Sequence, residues 1–175
     1  MAINLKHIKA FAFDVDGVAT TGAILCMPDG DLLRQFDAKD GFAIRMAMMN
    51  GYPVAVITGG RSESIRKRFV TSGVKPDDVY LGSRDKMEEF RLFCEKYSLR
   101  PEDVMYFGDD IPDIEVIQAA GVGACPSDAA EEVKAAADYV SPNPGGHWCL
   151  REAIEKVLKL QGRWIYKTNV YKKLF

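Results

Sequence analysis

A chain of 175 residues, 47% apolar and 27% charged, has the size and balance of one well-buried α/β domain and is too apolar for a disordered segment. The formal net charge of -2 provides no basic field and argues against nucleic acid as a partner, and no apolar run is long enough to span a bilayer. Cys26, Cys94, Cys125 and Cys149 lack the close spacing of a zinc site, and with no signal-peptide pattern ahead of them, reduced thiols in a cytoplasmic protein are expected.

The first strong signal is Phe11 to Gly17, Phe-Ala-Phe-Asp-Val-Asp-Gly, an apolar run that ends in two carboxylates. It predicts a buried strand with Asp14 and Asp16 at its carboxyl edge, although Asp-x-Asp-Gly is also good turn composition. Ala23 to Met27 and Leu32 to Phe36 flank Pro28-Asp29-Gly30-Asp31 and predict a β-hairpin that interrupts the usual crossover. Asp40 is expected to cap a helix running to Met49 and closed by Asn50-Gly51, and Tyr52 to Ile57 forms the next strand.

That second strand ends in Thr58-Gly59-Gly60, and a helix follows over Ser62 to Ser72, with Arg61 to Arg68 as the one basic cluster, most of it a solvated face. Val79 to Leu81 is a short strand, Lys86 to Tyr97 a helix with Met87, Phe90 and Cys94 on one face. Cys94 and Arg100 share the Cys-x5-Arg spacing of cysteine phosphatases, but no glycine lies between them to turn amides toward a phosphate, so the spacing is read as coincidence. Val104 to Phe107 is a fourth strand ending in Gly108-Asp109-Asp110, with Asp113 close behind. Pro112 to Ala120 is a short helix, Val122 to Ala124 a strand, Ala129 to Ala137 a helix, Tyr139-Val140 an edge strand and Trp148 to Leu160 a final helix. His147, like His7, has no partner of its kind nearby and is read as a loop or helix-start residue.

The alternation predicts a doubly wound, mostly parallel, Rossmann-like α/β sheet with a hairpin flap and no cap domain, residues 1–175 forming one domain. Residues 161–175 form a tail with Trp164, Tyr166, Tyr171 and Phe175 among lysines, which docks on a neighbouring subunit or stays disordered.

In such a sheet all strand ends share one edge, so the polar residues that follow the strands meet in one cleft. Phosphate-ester chemistry fits them. Three carboxylates, Asp14, Asp16 and Asp109, repel a phosphate dianion unless a small oxygen-ligated cation, Mg2+, joins them. Asp14 is then the candidate nucleophile and Asp16 the acid and base. Thr58 and Gly59 bind phosphoryl oxygens, Lys86 balances charge, and Asp110 and Asp113 support the metal site. Arg61 and Arg68 are candidates for an anionic substrate.

Asp14-Val15-Asp16-Gly17, Thr58-Gly59, Lys86 and Gly108-Asp109-Asp110-x-x-Asp113 together resemble the four motifs of the haloacid dehalogenase superfamily, in order and over nearly the whole chain. The resemblance implies an aspartyl-phosphate intermediate on Asp14 and Mg2+ held by Asp14, the backbone carbonyl of Asp16 and Asp109. The absent cap and Gly145 to Glu152 further resemble the tetrameric 3-deoxy-D-manno-octulosonate 8-phosphate phosphatases of lipopolysaccharide biosynthesis. These commonly carry Arg after Thr-Gly, where this chain has Gly60, and an Asp where it has Thr21. The implied function is hydrolysis of that keto-sugar acid phosphate by a homotetramer. The alternatives are a 2-keto-3-deoxynononate 9-phosphate phosphatase and a non-catalytic module of sugar nucleotide biosynthesis. A signalling receiver domain fits less well, because receivers place the acceptor Asp after a central strand of the chain.

Overall fold

The computed structural model describes residues 4–164. Its centre is β1 (Ala10–Phe13), buried along its whole length, and the two faces of that strand are set by its alternation. Phe11 and Phe13 enter one apolar layer with residues of α1 (Ala38–Met49), α2 (Glu63–Val70) and α6 (Cys149–Leu160). Ala10 and Ala12 enter the other, with residues of α3 (Lys86–Lys96), α4 (Ile114–Ala119) and α5 (Glu131–Ala136). Burial of each large side chain in these layers contributes about 2 to 3 kcal/mol, which fixes the register of the strands beneath the helices.

The main sheet runs β5-β4-β1-β6-β7-β8, all parallel, from β4 (Val54–Thr58), β5 (Val79–Leu81), β6 (Val104–Phe107), β7 (Val122–Cys125) and β8 (Tyr139–Val140). The chain winds outward from β1 through β4 to β5, then returns to β6 on the other side of β1. The switch point therefore lies between β1 and β6, the place where open α/β sheets bind ligands.

The hairpin is present but shorter than its apolar runs, with β2 (Leu25–Cys26) and β3 (Leu32–Leu33) paired antiparallel. It forms a two-stranded sheet of its own with no ladder to the main one, and only the pairs beside the turn keep ladder geometry. No cap domain stands over the strand ends: β1 and α1 are joined by the hairpin segment, and β4 and β5 by α2 and a turn.

The cap of α1 corrects the sequence reading. Asp37, not Asp40, is the N-cap, accepting from Lys39 N at 2.6 Å. Asp40 sits buried in the first turn and accepts from Arg151 N at 2.7 Å, so it caps the distant helix α6 instead. The segment predicted as one helix from Pro112 begins with a single 3-10 turn, Ile111–Asp113, before α4. Cys94 is buried in α3 and Arg100 pairs with Asp103, in keeping with a coincidental Cys-x5-Arg spacing. All four cysteines are free.

Trp164 folds back on its own chain, edge-on to Phe42, with Arg151 4.6 Å above its ring. Tyr166, Tyr171 and Phe175, the other aromatics of the expected docking tail, lie outside the described residues. Among the described residues, no helix is long and apolar enough to cross a membrane.

Candidate active site

Asp14 follows β1 directly and extends its ladder, its N–H donating to Phe107 O at 2.9 Å. Asp109 follows β6 across the switch point. After Asp14 the chain turns sharply, and Gly17, at φ +87°, makes that turn; a Cβ there would lie 1.9 Å from Asp109 Oδ2. Glycine is required twice over, for its backbone and for the space it leaves to a carboxylate.

Asp14, Asp109 and Asp113 form one cluster in which an oxygen from each lies within 4.8 Å of the others. Lys86, at the start of α3, enters it with its Nζ 2.9 Å from Asp14 Oδ2 and 2.7 Å from Asp113 Oδ1. Asp113 is fully engaged. It also accepts from Tyr106 OH at 2.6 Å and from the backbone N–H groups of Asp109 at 3.2 Å and Asp110 at 3.4 Å. Asp110 caps its own turn through Ile111 N and is exposed.

By contrast, Asp14 Oδ1 and Asp109 Oδ1 are buried with no hydrogen-bond partner. An unsatisfied buried carboxylate oxygen is expensive, and the cost appears in the proton affinities. Burial, followed by the charge of Asp113, pushes Asp14 up to about 6 against the attraction of Lys86. Burial, then Asp14 and Asp113, pushes Asp109 up to about 7. Burial alone would lower Lys86, but its two carboxylate neighbours outweigh it and the ammonium is held above its ordinary value. Two clustered acids that reject charge, each with a bare buried oxygen, make a receptor for a divalent cation.

Asp16 is turned the other way. Both its oxygens are held by Arg34 of the hairpin segment, Nε to Oδ1 at 2.6 Å and Nη2 to Oδ2 at 2.9 Å. Its carboxylate is thus outside the Asp14, Asp109 and Asp113 cluster, and only its backbone remains for a metal. Thr58, buried at the end of β4, accepts from Gly60 N at 3.1 Å, which draws the Thr58-Gly59-Gly60 turn tight at the same sheet edge.

A cleft of about 520 Å³ opens here, lined by Asp16, Arg34, Gly59, Gly60, Arg61 and Ser62 together with the hairpin turn. Arg61 faces it and makes no ion pair or side-chain hydrogen bond among the described residues. Arg68 is not in its lining: its guanidinium donates to Asp37 O at 3.1 Å and Ser72 Oγ at 3.2 Å and lies against Gly41, where it ties α2 to α1. Arg66 likewise serves the scaffold, bonding to the carbonyls of Pro76 and Val79. A larger groove of about 600 Å³ runs along α6, but its charges pair with one another, Arg151 and Lys159 both on Glu155, and none of the acids after β1 and β6 reaches it.

Arg34 is the residue that sequence reasoning missed. Its signal was faint: a lone cation after Leu32-Leu33, on a hairpin that could return toward the strand end it left.

The haloacid dehalogenase-like hydrolase family model matches residues 57–145. The chain is 34% identical over 158 residues to the 3-deoxy-D-manno-octulosonate 8-phosphate phosphatase KdsC of Escherichia coli K12, covering 90% of this chain and 83% of that one. Its fold is similar to the crystal structure of the same phosphatase from Yersinia pestis, with a TM-score of 0.87, 31% identity, and 91% and 85% of the two chains covered. It is similar also to the enzyme from Moraxella catarrhalis in complex with magnesium, phosphate and KDO, with a TM-score of 0.86, 31% identity and 90% of each chain covered.

Proposed function

The chain belongs to the haloacid dehalogenase-like hydrolases and is a phosphatase, and from that premise we propose that its substrate is 3-deoxy-D-manno-octulosonate 8-phosphate, hydrolysed through an aspartyl-phosphate intermediate. The observation that carries the reading is the pair of bare buried oxygens, Asp14 Oδ1 and Asp109 Oδ1, beside a lysine, with Asp16, two residues on from Asp14, lining a polar cleft. The cofactor is Mg2+, and these residues fit it: two hard, unpartnered oxygen donors, with the Asp16 backbone carbonyl, waters and a phosphoryl oxygen to complete a shell. When bound, it neutralises the acids and the phosphoryl oxygens so that an anion can approach.

The remaining work falls to side chains of this chain. An Asp14 oxygen attacks phosphorus as the bond from phosphorus to the sugar oxygen breaks, and the Asp16 carboxyl group gives its proton to that leaving oxygen. A water oxygen then attacks phosphorus, the bond to Asp14 breaks, and the proton lost by water returns to Asp16. Thr58 Oγ1 and the Gly59 amide donate to phosphoryl oxygens, and Lys86 offsets the charge of Asp14 and of the group in transfer. Asp113, through Lys86 and the Asp109 amide, holds both in place. Arg61 meets the carboxylate of the sugar acid in two-pronged fashion.

The whole chain acts as one catalytic domain, in the cytoplasm, as a homotetramer. Support for the assembly comes from the hairpin, which exposes Ile24, Leu25, Met27, Leu32 and Leu33 around a thin two-stranded ribbon. The direct test is phosphate release from the octulosonate phosphate with Mg2+ and with excess EDTA. Release only with Mg2+ is expected, and no release in either would overturn the reading.

A further inference from the structure

Arg34 stands out from the segment that carries it. Its side chain is 4% exposed, while Leu25 and Leu33 of the same hairpin are 62% and 44% exposed. The hairpin has only two ladder pairs of its own, and this guanidinium, docked on Asp16, ties it to the sheet edge, with Phe36 packed on Phe69 behind it.

Of the five N–H groups of Arg34, Nε and one on Nη2 hold Asp16, and one on Nη1 reaches Leu32 O at 3.3 Å. Among the described residues, one N–H on each Nη is left over. Nη2 lies beside Gly60: the point that a Cβ at Gly60 would occupy is 2.8 Å from Ile65 Cδ1, 3.3 Å from Arg34 Nη2 and 3.4 Å from Thr58 Oγ1. Only glycine lets the backbone pass so close to the guanidinium, and Gly60, Arg34 and Asp16 line one cleft. Each Asp16 oxygen keeps a lone pair beyond the one the fork uses, so the carboxyl group can carry a proton into the cleft without leaving Arg34.

We propose that Arg34 is a positioning residue for ester cleavage: its guanidinium fork fixes the Asp16 carboxyl group toward the ester oxygen. The inference rests on the phosphatase reading and adds the hairpin to the reacting site. An ion pair that only stapled the hairpin would affect every substrate alike. A fork that aims Asp16 matters most where the leaving oxygen needs a proton.

The test compares kcat/KM, which reports the step that breaks the ester, on p-nitrophenyl phosphate and on an alkyl ester, glycerol 3-phosphate, with Mg2+ present throughout. Arg34→Gln and Arg34→Lys are expected to lose on the order of ten- to a hundredfold on the alkyl ester and about threefold or less on p-nitrophenyl phosphate. Arg34→Lys keeps the charge without the fork, so its melting temperature stays at the wild-type value while the selective loss remains. Added to Asp16→Asn, Arg34→Gln should produce little further loss on the alkyl ester, since both changes remove the same function. An equal loss on both esters, wild-type rates in Arg34→Lys, or an additive double variant would overturn the proposal. A wild-type protein inert toward both esters would instead bring down the phosphatase reading on which it stands.

Discussion

Lys86 Nζ stands 2.9 Å from Asp14 Oδ2, and the pair is nearly closed to water, with 8% and 11% of the two side chains exposed. A buried cation between Asp14 and Asp113 is what lets two carboxylates coexist beside a third. Lys86→Met leaves both uncompensated, a change that costs about 3 to 5 kcal/mol in comparable buried pairs. Urea unfolding should register a loss of that order without Mg2+ and a smaller one with it, because the cation replaces part of the missing charge. Turnover should fall by about a hundredfold or more. Equal stability of variant and wild type in EDTA would contradict this role.

Mg2+ should itself raise the melting temperature. A cation at a hundred times its dissociation constant adds about 2.7 kcal/mol, which for a chain of this size corresponds to roughly 5 to 10 °C. The rise should vanish in Asp109→Asn, which leaves a neutral amide where one of the two carboxylates with a bare oxygen stood. Ca2+ should raise it too yet support little turnover, being larger and loosely coordinated. A melting curve indifferent to Mg2+ would count against a shared site.

The sheet and the site differ in how they are written in the sequence. β1, β4 and β6 are legible because a buried parallel strand is a short apolar run, and Asp14, Thr58 and Asp109 are legible because each ends one. Arg34 is not, since its partner lies 18 residues back and is reached only when the hairpin folds over the strand end. Asp37 and Asp40 look alike as caps; that one caps α1 and the other α6 is decided by the packing of those helices, a long-range fact. Arg61 and Arg68 are equals in a basic cluster until the fold leaves Arg61, ahead of α2, at the cleft and turns Arg68, within α2, to Asp37 O.

Asp40 gives the protein a pH dependence unrelated to metal. Burial pushes its carboxyl from 3.8 up to about 6, against the backbone bond from Arg151, and its Oδ2 has no partner. The folded state therefore holds this proton more tightly than the unfolded chain. The stabilisation is complete below about pH 4 and is lost as pH rises through about 6. With saturating Mg2+, Asp40→Asn should gain on wild type by about 1 to 3 kcal/mol between pH 4 and 7, read from urea midpoints. Parallel profiles for the two proteins would show that Asp40 does not titrate in this way.

The exposed hairpin should govern assembly. Leu25→Glu with Leu33→Glu places charges on the apolar ribbon, and light scattering should show the proposed tetramer giving way to smaller species. Use of the octulosonate phosphate should decline more than use of p-nitrophenyl phosphate, since only the larger substrate needs walls that a capless subunit lacks. A wild-type monomer would refute the assembly and leave the chemistry intact.

Phosphate release from 3-deoxy-D-manno-octulosonate 8-phosphate, set beside the nononate 9-phosphate and p-nitrophenyl phosphate, with wild type and Asp14→Asn in Mg2+ and in EDTA, decides whether the enzyme is a metal-dependent, Asp14-based phosphatase of this sugar acid. Release by wild type in Mg2+ alone, a kcat/KM for the octulosonate at least about tenfold above either competitor, and none from Asp14→Asn are expected. Turnover that survives EDTA or the loss of the Asp14 carboxylate would contradict the mechanism.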